Sequence, residues 1–340
     1  MSDRSASEEE TTVTGTVQES PTEPDPGGPG GSVVTTDDGG STGRVGDRVF
    51  AGLSVGSAVL IVIVLAGVAI FLLEQGLPAL GNSGESAYGK DNIWAYVGPL
   101  LFGTLLAALI AMIIATPLAI GVALVISHYA PRRIATAFGW LIDLLAAIPS
   151  VVYGLWGINF LALNLVPVYN WMGDNLGWLP FFEGPVPNSG RTMMTGGIVL
   201  AVMALPIITA ICREIFAQTP KMHQEAALAL GATRWEMIRM TVFPYARSGM
   251  FSAVLLGLGR ALGETMAIAL VLPPSVLVSL NLITAEGASS TIAANIANNF
   301  GNASGSKVDT LIFSGLVLFV ITFAVNFLGR AIAARGQVKG

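Results

Sequence analysis

Long apolar runs separated by short polar segments set the pattern of this chain. The first run, Val49 to Leu73, contains no charged residue, and as a helix rising 1.5 Å per residue it would span roughly 37 Å. That length exceeds the roughly 30 Å hydrocarbon core of a bilayer. Five more runs meet the same criterion, so we predict six transmembrane helices at about 49–73, 95–127, 139–165, 192–212, 248–273 and 308–329. The predicted fold class is an all-α, polytopic membrane protein.

The composition agrees with a membrane protein. Hydrophobic residues make up 53% and charged residues only 11% of the 340 residues, and the mean hydropathy is +0.68. The acids cluster in residues 1–48, which hold ten carboxylates against three arginines. Because this segment has almost no large apolar side chains, it cannot bury enough surface to offset its conformational entropy. We predict a disordered acidic cytoplasmic tail over 1–48 and a transmembrane domain over 49–340.

Two kinds of chemistry are excluded by the scarcity of cysteine and histidine. Cys212 is the single cysteine, which rules out an intramolecular disulfide, and the two histidines give no metal-ligand cluster. The segment 84–91 begins like a P-loop, but Asp91 stands where a Ser or Thr must bind Mg²⁺, and no strand precedes it. The sequence therefore predicts no metal or nucleotide site in this chain.

The basic residues orient the predicted spans. If the N-terminus is cytoplasmic, 13 of the 17 Lys and Arg residues fall in inside segments and three, Lys90, Arg191 and Lys307, fall outside. Since cytoplasmic loops are enriched in Lys and Arg, we predict that both termini are cytoplasmic. The predicted outside loops are about 74–94, 166–191 and 274–307.

A charged pair, Arg260 and Glu264, lies inside the fifth predicted span. Because residues four apart on a helix lie on one face, we expect Arg260 and Glu264 to share a helix face. Each charge costs at least about 2.5–3.5 kcal/mol to insert at mid-membrane, so the pair must face protein or a water-filled path. One interpretation is an ion pair that fixes helix packing, helped by the small residues Gly259 and Gly263. The other is an anion path in which Arg260 binds a tetrahedral oxyanion and Glu264 orients the arginine.

The longest predicted cytoplasmic loop, 213–247, has a helix–glycine–helix pattern. Pro220 precedes the helix-forming run Glu225-Ala226-Ala227, Gly231 suits a left-handed helix end, and a second helical stretch is expected to stop before Pro244. One interpretation is an amphipathic helix that lies on the lipid surface.

These residues also resemble a known motif. Glu225, Ala226 and Ala227, with Gly231 four residues further on and Pro244 after thirteen more, resemble the EAA loop of ABC-importer permeases. The chain has Thr241-Val242-Phe243-Pro244 where that family favours Ile-x-Leu-Pro. The segments 147–157 and 259–267 are similar to those of phosphate-importer permeases of the PstC type.

The resemblance implies a type I ABC-importer (MetI-like) permease with six helices and a cytoplasmic coupling helix in a bacterial plasma membrane. It also implies a sister permease (PstA type), two copies of an ATPase (PstB type) and an extracytoplasmic phosphate-binding protein (PstS type). This chain would bind no cofactor, because ATP and Mg²⁺ belong to the ATPase. By this resemblance, Glu225, Ala226, Ala227 and Gly231 couple to the ATPase, and Arg260 and Glu264 line the phosphate path.

Two functional alternatives stay open on the sequence. The oxyanion carried could be sulfate or molybdate, because arginine reads tetrahedral charge. The chain could instead be a secondary transporter or a scaffold that uses the Arg260–Glu264 pair. Asp143 is expected to be a boundary carboxylate within reach of Arg132, Arg133 or water on the inside face, with a gate or a partner-binding residue as the alternative.

Overall fold

The computed structural model describes residues 43–284 and 289–337, and over these ranges the chain is all-α, as predicted. The predicted tail falls outside the described residues except for 43–48, where the first helix has already begun. The α-helices are α1 (Gly43–Gly76), α2 (Ile93–Leu124), α3 (Arg132–Ala147), α4 (Ser150–Trp156), α5 (Ala162–Leu176), α6 (Met193–Ala217), α7 (Lys221–Ala229), α8 (Arg234–Met237), α9 (Phe243–Gly263), α10 (Met266–Val271), α11 (Ile292–Asn299) and α12 (Ser306–Gln337).

Five helical stretches in the described part of the chain are long and apolar enough to cross a membrane. They are Gly46–Gly81, Ile93–Tyr129, Ser150–Leu176, Met193–Ala217 and Ser306–Ala331. The chain is therefore a multi-pass membrane protein. The count of six spans stays a prediction, because it depends on the stretch that contains α9 and α10.

The predicted third span, 139–165, is not one continuous helix. Helix α3 ends at Ala147, and Ile148 is extended with φ −64° and ψ 131° before α4 begins at Ser150. Pro149 explains the break, since its ring disfavours a helical conformation in the preceding residue. The apolar stretch that can cross the membrane therefore begins at Ser150, and α3 is a separate helix.

The core of this fold lies where α2 packs along α6. Ala107, Ala111, Ala115, Ala119 and Ala123 are all fully buried and recur every fourth residue, so they form one face of α2. Small residues at this spacing let a neighbouring helix approach closely. Apolar packing across this face holds the helices that position the site described below.

The glycines that receive side chains from a second helix of this chain are not the predicted pair. Gly249 and Gly257 on α9 face Ile215 and Ile208 of α6, where an added Cβ would lie 2.7 Å from the nearest isoleucine carbon. A Cβ at Gly259 or Gly263 would meet no described atom within 4 Å. The prediction that Gly259 and Gly263 pack helices is therefore not supported within this chain.

Candidate functional site

Arg260 and Glu264 do not share one helix face, contrary to the sequence expectation. Helix α9 ends at Gly263, and Glu264 is extended with φ −68° and ψ 123°. Among the described residues, the ion pairs within 4.0 Å are Arg213–Asp143 and Lys307–Glu85, and Arg260 forms none with Glu264. The interpretation of a self-satisfied pair therefore loses its geometric basis. Arg260 is exposed in the last turn of α9, where the helix dipole favours a cation.

Glu264 instead supports the short helix α10. Its Oε1 accepts a hydrogen bond from the Ala267 backbone N–H at 3.3 Å, which satisfies one of the free donors at a helix start. At the other end, Arg191 Nε donates to the Val271 carbonyl at 3.2 Å and Nη2 donates to the Leu272 carbonyl at 2.9 Å. Helix α10 is thus held at both ends by charged side chains.

The two segments that carry the PstC-type resemblance meet in space. Helix α4, from the segment 147–157, packs on α10, and a Cβ at Gly154 would lie 2.8 Å from the Ala267 Cα. The Tyr153 hydroxyl donates to the Leu145 carbonyl at 2.8 Å, which ties α4 to α3. The fold therefore brings the 147–157 segment to the place where Arg260 and Glu264 lie.

Arg260 lines a cavity of about 710 Å³ between α6, α9 and α12. Its polar lining residues in the described chain are Arg260, Asn326 and Arg330. Sequence reasoning missed Asn326 entirely and treated Arg330 only as a base that orients the last span. Their spacing of four residues on one helix was the available signal.

The loop between α6 and α9 has the predicted helix–glycine–helix form. Gly231 has φ +87°, which confirms the left-handed position after α7. The Gly231 N–H donates to the Leu228 carbonyl at 3.0 Å and the Ala232 N–H to the Ala227 carbonyl at 3.1 Å. This pair of bonds is a Schellman motif, which ends α7 and turns the chain sharply.

The second half of the loop begins with a capping box. Glu236 accepts hydrogen bonds from the Thr233 N–H and hydroxyl, both at 2.8 Å, and these bonds hold the pKa of the Glu236 carboxyl below its ordinary value. The sequence predicted that this second helical stretch would stop before Pro244, but the helix continues through it. A π-helical turn, Ile238–Val242, leads directly into α9, and Pro244 is the second residue of α9.

The motif residues on α7 are open to a partner. No residue of α7 is buried, and Met222 and Leu230 are 80% and 90% exposed. Glu225, Ala226 and Gly231 are exposed, and Ala227 is half-buried. Ala226, Ala227 and Gly231 border a cavity of about 680 Å³. The loop thus presents both charged and apolar surface.

Asp143 pairs with a base that sequence reasoning did not select. Its carboxylate lies 3.4 Å from Arg213 Nη2, so α3 is joined to α6 instead of to its own Arg132 or Arg133. A Cβ at Gly139, one turn before Asp143, would meet the same guanidinium. Asp143 therefore links α3 to α6 through Arg213, a partner that the sequence analysis did not name.

Comparison with known proteins identifies the family to which this chain belongs. Residues 115–336 match the family model for the inner membrane component of binding-protein-dependent transport systems. The chain is 44% identical over 310 residues to "Phosphate transport system permease protein PstC 2" of Mycobacterium tuberculosis, covering 87% of this chain and 94% of the relative. It is 39% identical over 304 residues to the PstC of Xylella fastidiosa (strain Temecula1), covering 85% and 91%.

Solved structures agree on the fold. A chain from a crystal structure of a bacterial ABC transporter involved in the import of the acidic polysaccharide alginate matches with a TM-score of 0.52 at 18% identity, covering 85% of this chain and 96% of that chain. This chain is therefore a permease of the binding-protein-dependent transport family, with the fold of an ABC importer. Within that family, it belongs to the PstC phosphate transport permeases.

Proposed function

We propose that this chain forms half of the membrane pathway of an ATP-driven importer of inorganic phosphate. The observation that carries the proposal is 44% identity to PstC permeases over 87% of the chain. Phosphate would arrive from an extracytoplasmic binding protein of the PstS type. The pathway would be completed by a sister permease of the PstA type.

Arg260 would bind the anion within the membrane. Its guanidinium is exposed in the described chain and pairs with no described carboxylate, so its donors are available to a tetrahedral oxyanion. An unpaired arginine cannot face lipid at this depth without a large cost, so protein or water must cover it. A water-filled path shared with the sister permease meets that requirement.

Glu264 would act through α10. Because it caps α10 and does not pair with Arg260, its role is to fix the helix that follows the arginine. A movement of α9 would be transmitted to α10 through this short connection.

ATP hydrolysis would belong to a separate ATPase dimer of the PstB type, which binds ATP and Mg²⁺. The exposed helix α7 and the left-handed Gly231 offer the docking surface. Closure of the ATPase dimer would move α7. Because α8 follows α7 and continues through a π-helical turn into α9, this movement would reach Arg260 near the end of α9. Alternating access then follows from a difference in affinity between two states.

Uptake of radiolabelled phosphate tests the proposal in vesicles that contain the whole complex and the binding protein. We expect ATP-dependent uptake that sulfate does not compete for, and its loss in Arg260→Ala at unchanged complex recovery. Arg260→Lys should restore little, because lysine lacks the guanidinium fork. Arg133→Ala, which removes an exposed base on α3, is the control. Uptake at the wild-type level in Arg260→Ala would contradict the role of Arg260, and sulfate uptake would contradict the substrate.

A further inference from the structure

The cavity beside Arg260 has walls and charges suited to a small anion. Arg260 and Arg330 both line it, and its described lining includes no carboxylate. Neither arginine forms an ion pair with another described residue. The remaining walls are mostly apolar and come from Ile207, Leu255, Leu256, Phe323 and Phe327. Leu256, Phe323 and Phe327 are themselves exposed, so the cavity is open on one side and both arginines can be reached by an anion from solvent.

Helix packing fixes the relative depth of the polar residues. Helices α9 and α12 run antiparallel, because Leu255 meets Gly329, while Val325, one turn earlier on α12, packs against a cluster that contains Ala261 and Leu262, further along α9. Arg260 lies five residues beyond Leu255 and Asn326 three residues before Gly329, which at 1.5 Å per residue places them within about 3 Å of each other in depth. Arg330 lies about 9 Å from Arg260 along the helix axes, toward the end of α9 that joins the coupling loop.

Asn326 supplies an acceptor to this cationic cavity. Its Nδ2 donates to the Thr322 carbonyl at 2.9 Å, which fixes the orientation of the amide, because a carbonyl can only accept. The Oδ1 atom accepts no hydrogen bond from a described residue. A phosphate ion carries a P–OH group at neutral pH, whereas sulfate and a phosphodiester lipid headgroup carry none. An acceptor between two arginines therefore favours inorganic phosphate over both.

We propose that this cavity is the cytoplasmic part of the transport path, where Arg260 and Arg330 bind one phosphate ion in turn and Asn326 Oδ1 accepts the phosphate hydroxyl. This inference rests on the proposed function, and it assigns new binding roles to Asn326 and Arg330. Two arginines about 9 Å apart in depth would pass the anion inward without a single deep trap.

Arg330→Gln tests the second arginine in vesicles of the whole complex with the binding protein. Because the variant loses a charge-assisted hydrogen bond to the anion, the maximal rate of phosphate uptake should fall about tenfold or more. The external phosphate concentration for half-maximal uptake should stay unchanged, because the binding protein sets it. Arg133→Gln removes one exposed cytoplasmic-side arginine away from the cavity and should keep wild-type uptake. Equal rates in the two variants would overturn the proposal, whereas absence of phosphate uptake by the wild type would overturn the proposed function.

Asn326→Leu tests the acceptor by direct binding. Radiolabelled phosphate is bound to the purified complex without the binding protein and displaced by sulfate. We expect the wild type to prefer phosphate, and Asn326→Leu to lose about tenfold of that preference, about the contribution of one hydrogen bond. Unchanged preference would contradict the role of Asn326.

A third arm separates free phosphate from a lipid headgroup. Wild type and Arg330→Gln are reconstituted in zwitterionic vesicles and in vesicles that also contain anionic phospholipid. A defect of Arg330→Gln in both lipids supports the path for free phosphate. A defect that appears only with anionic lipid would identify a headgroup site and overturn the proposal.

Discussion

At the scale of single residues, Gly231 ends α7 and sets the direction in which the chain continues to α8, within the loop 213–247. Its φ of +87° is open to glycine but strained for other residues, while a Cβ there would meet nothing within 4 Å. Gly231→Ala should therefore cost about 1–2 kcal/mol through backbone strain alone. We expect less ATPase subunit to co-purify with the permease, and weaker coupling of ATP hydrolysis to uptake.

Gly231→Asn is the matched variant for this prediction. Asparagine adds a larger side chain than alanine but tolerates the left-handed conformation better. It should retain more ATPase subunit than Gly231→Ala. If asparagine were the worse of the two, size at the docking surface and not backbone strain would explain the defect.

The cost of adding a side chain at Gly154 depends on whether the group opposite it can move. Gly154→Ala would bring a Cβ to 2.8 Å from the Ala267 Cα, which belongs to the rigid backbone of α10. We expect a loss of about 1–3 kcal/mol, typical of overpacking, seen as a lower melting temperature of the detergent-solubilised complex. Gly139→Ala is the control, because its Cβ meets only the flexible end of Arg213. A greater loss in Gly139→Ala would contradict this argument.

The sequence predicted features that depend on local chemistry better than features that depend on contacts between distant helices. Gly231 follows a run of helix formers, so its left-handed position could be recognised from local chemistry. The positions of Arg260 and Glu264 could not be predicted in this way. The expected pairing assumed one helix through both residues, but α9 ends at Gly263, one residue before Glu264. Asn326 and Arg330 line the cavity with Arg260 only because α12 packs on α9. That contact joins distant parts of the chain, so no local sequence pattern predicts it.

At the scale of elements, the six-residue α10 is too short to be stable by itself and depends on its ends. Arg191→Met would remove both donors to the Val271 and Leu272 carbonyls. Hydrogen bonds from a charged group contribute about 1.5–3 kcal/mol, so we expect a clear fall in the melting temperature of the complex. Phosphate uptake should fall with it, because α10 follows Arg260 directly.

Lys307→Met provides the comparison for Arg191→Met. It removes another base predicted to lie outside, but its partner Glu85 is 92% exposed. Exposed ion pairs contribute about 0–1 kcal/mol, so this variant should unfold near the wild-type temperature. Similar losses in the two variants would show that the bonds of Arg191 to α10 are no more stabilising than a surface pair.

Element boundaries were predictable where hydrophobicity changes abruptly and not where it continues through a break. The sequence 139–165 is apolar on both sides of Pro149, so hydropathy does not detect the break between α3 and α4 at this residue. Likewise, 248–273 is apolar throughout most of its length, yet the backbone breaks at Glu264. In both places backbone geometry, and not hydropathy, determined where the helix ended.

At the scale of the whole molecule, the number of crossings decides where the termini lie. Five stretches qualify as spans, and an odd number would put the two ends of the described chain on opposite sides. The stretch 243–271 is long enough to be a sixth, although Arg247 and Arg260 lower its hydropathy. The positive-inside rule predicts that it crosses, since only then do the bases of the loop 213–247 and of the C-terminal end share one side.

Cysteine labelling decides whether 243–271 crosses. Lys221 at the start of α7 and Ser304 before α12 are both exposed and lie on either side of this stretch. In intact cells, a membrane-impermeant maleimide should label Ser304→Cys but not Lys221→Cys, which should react only after the membrane is opened. The parent chain is a suitable background, because its single cysteine, Cys212, is fully buried. Labelling of both positions from the same side would show that α9 and α10 do not cross, and would leave Arg260 without the membrane path proposed for it.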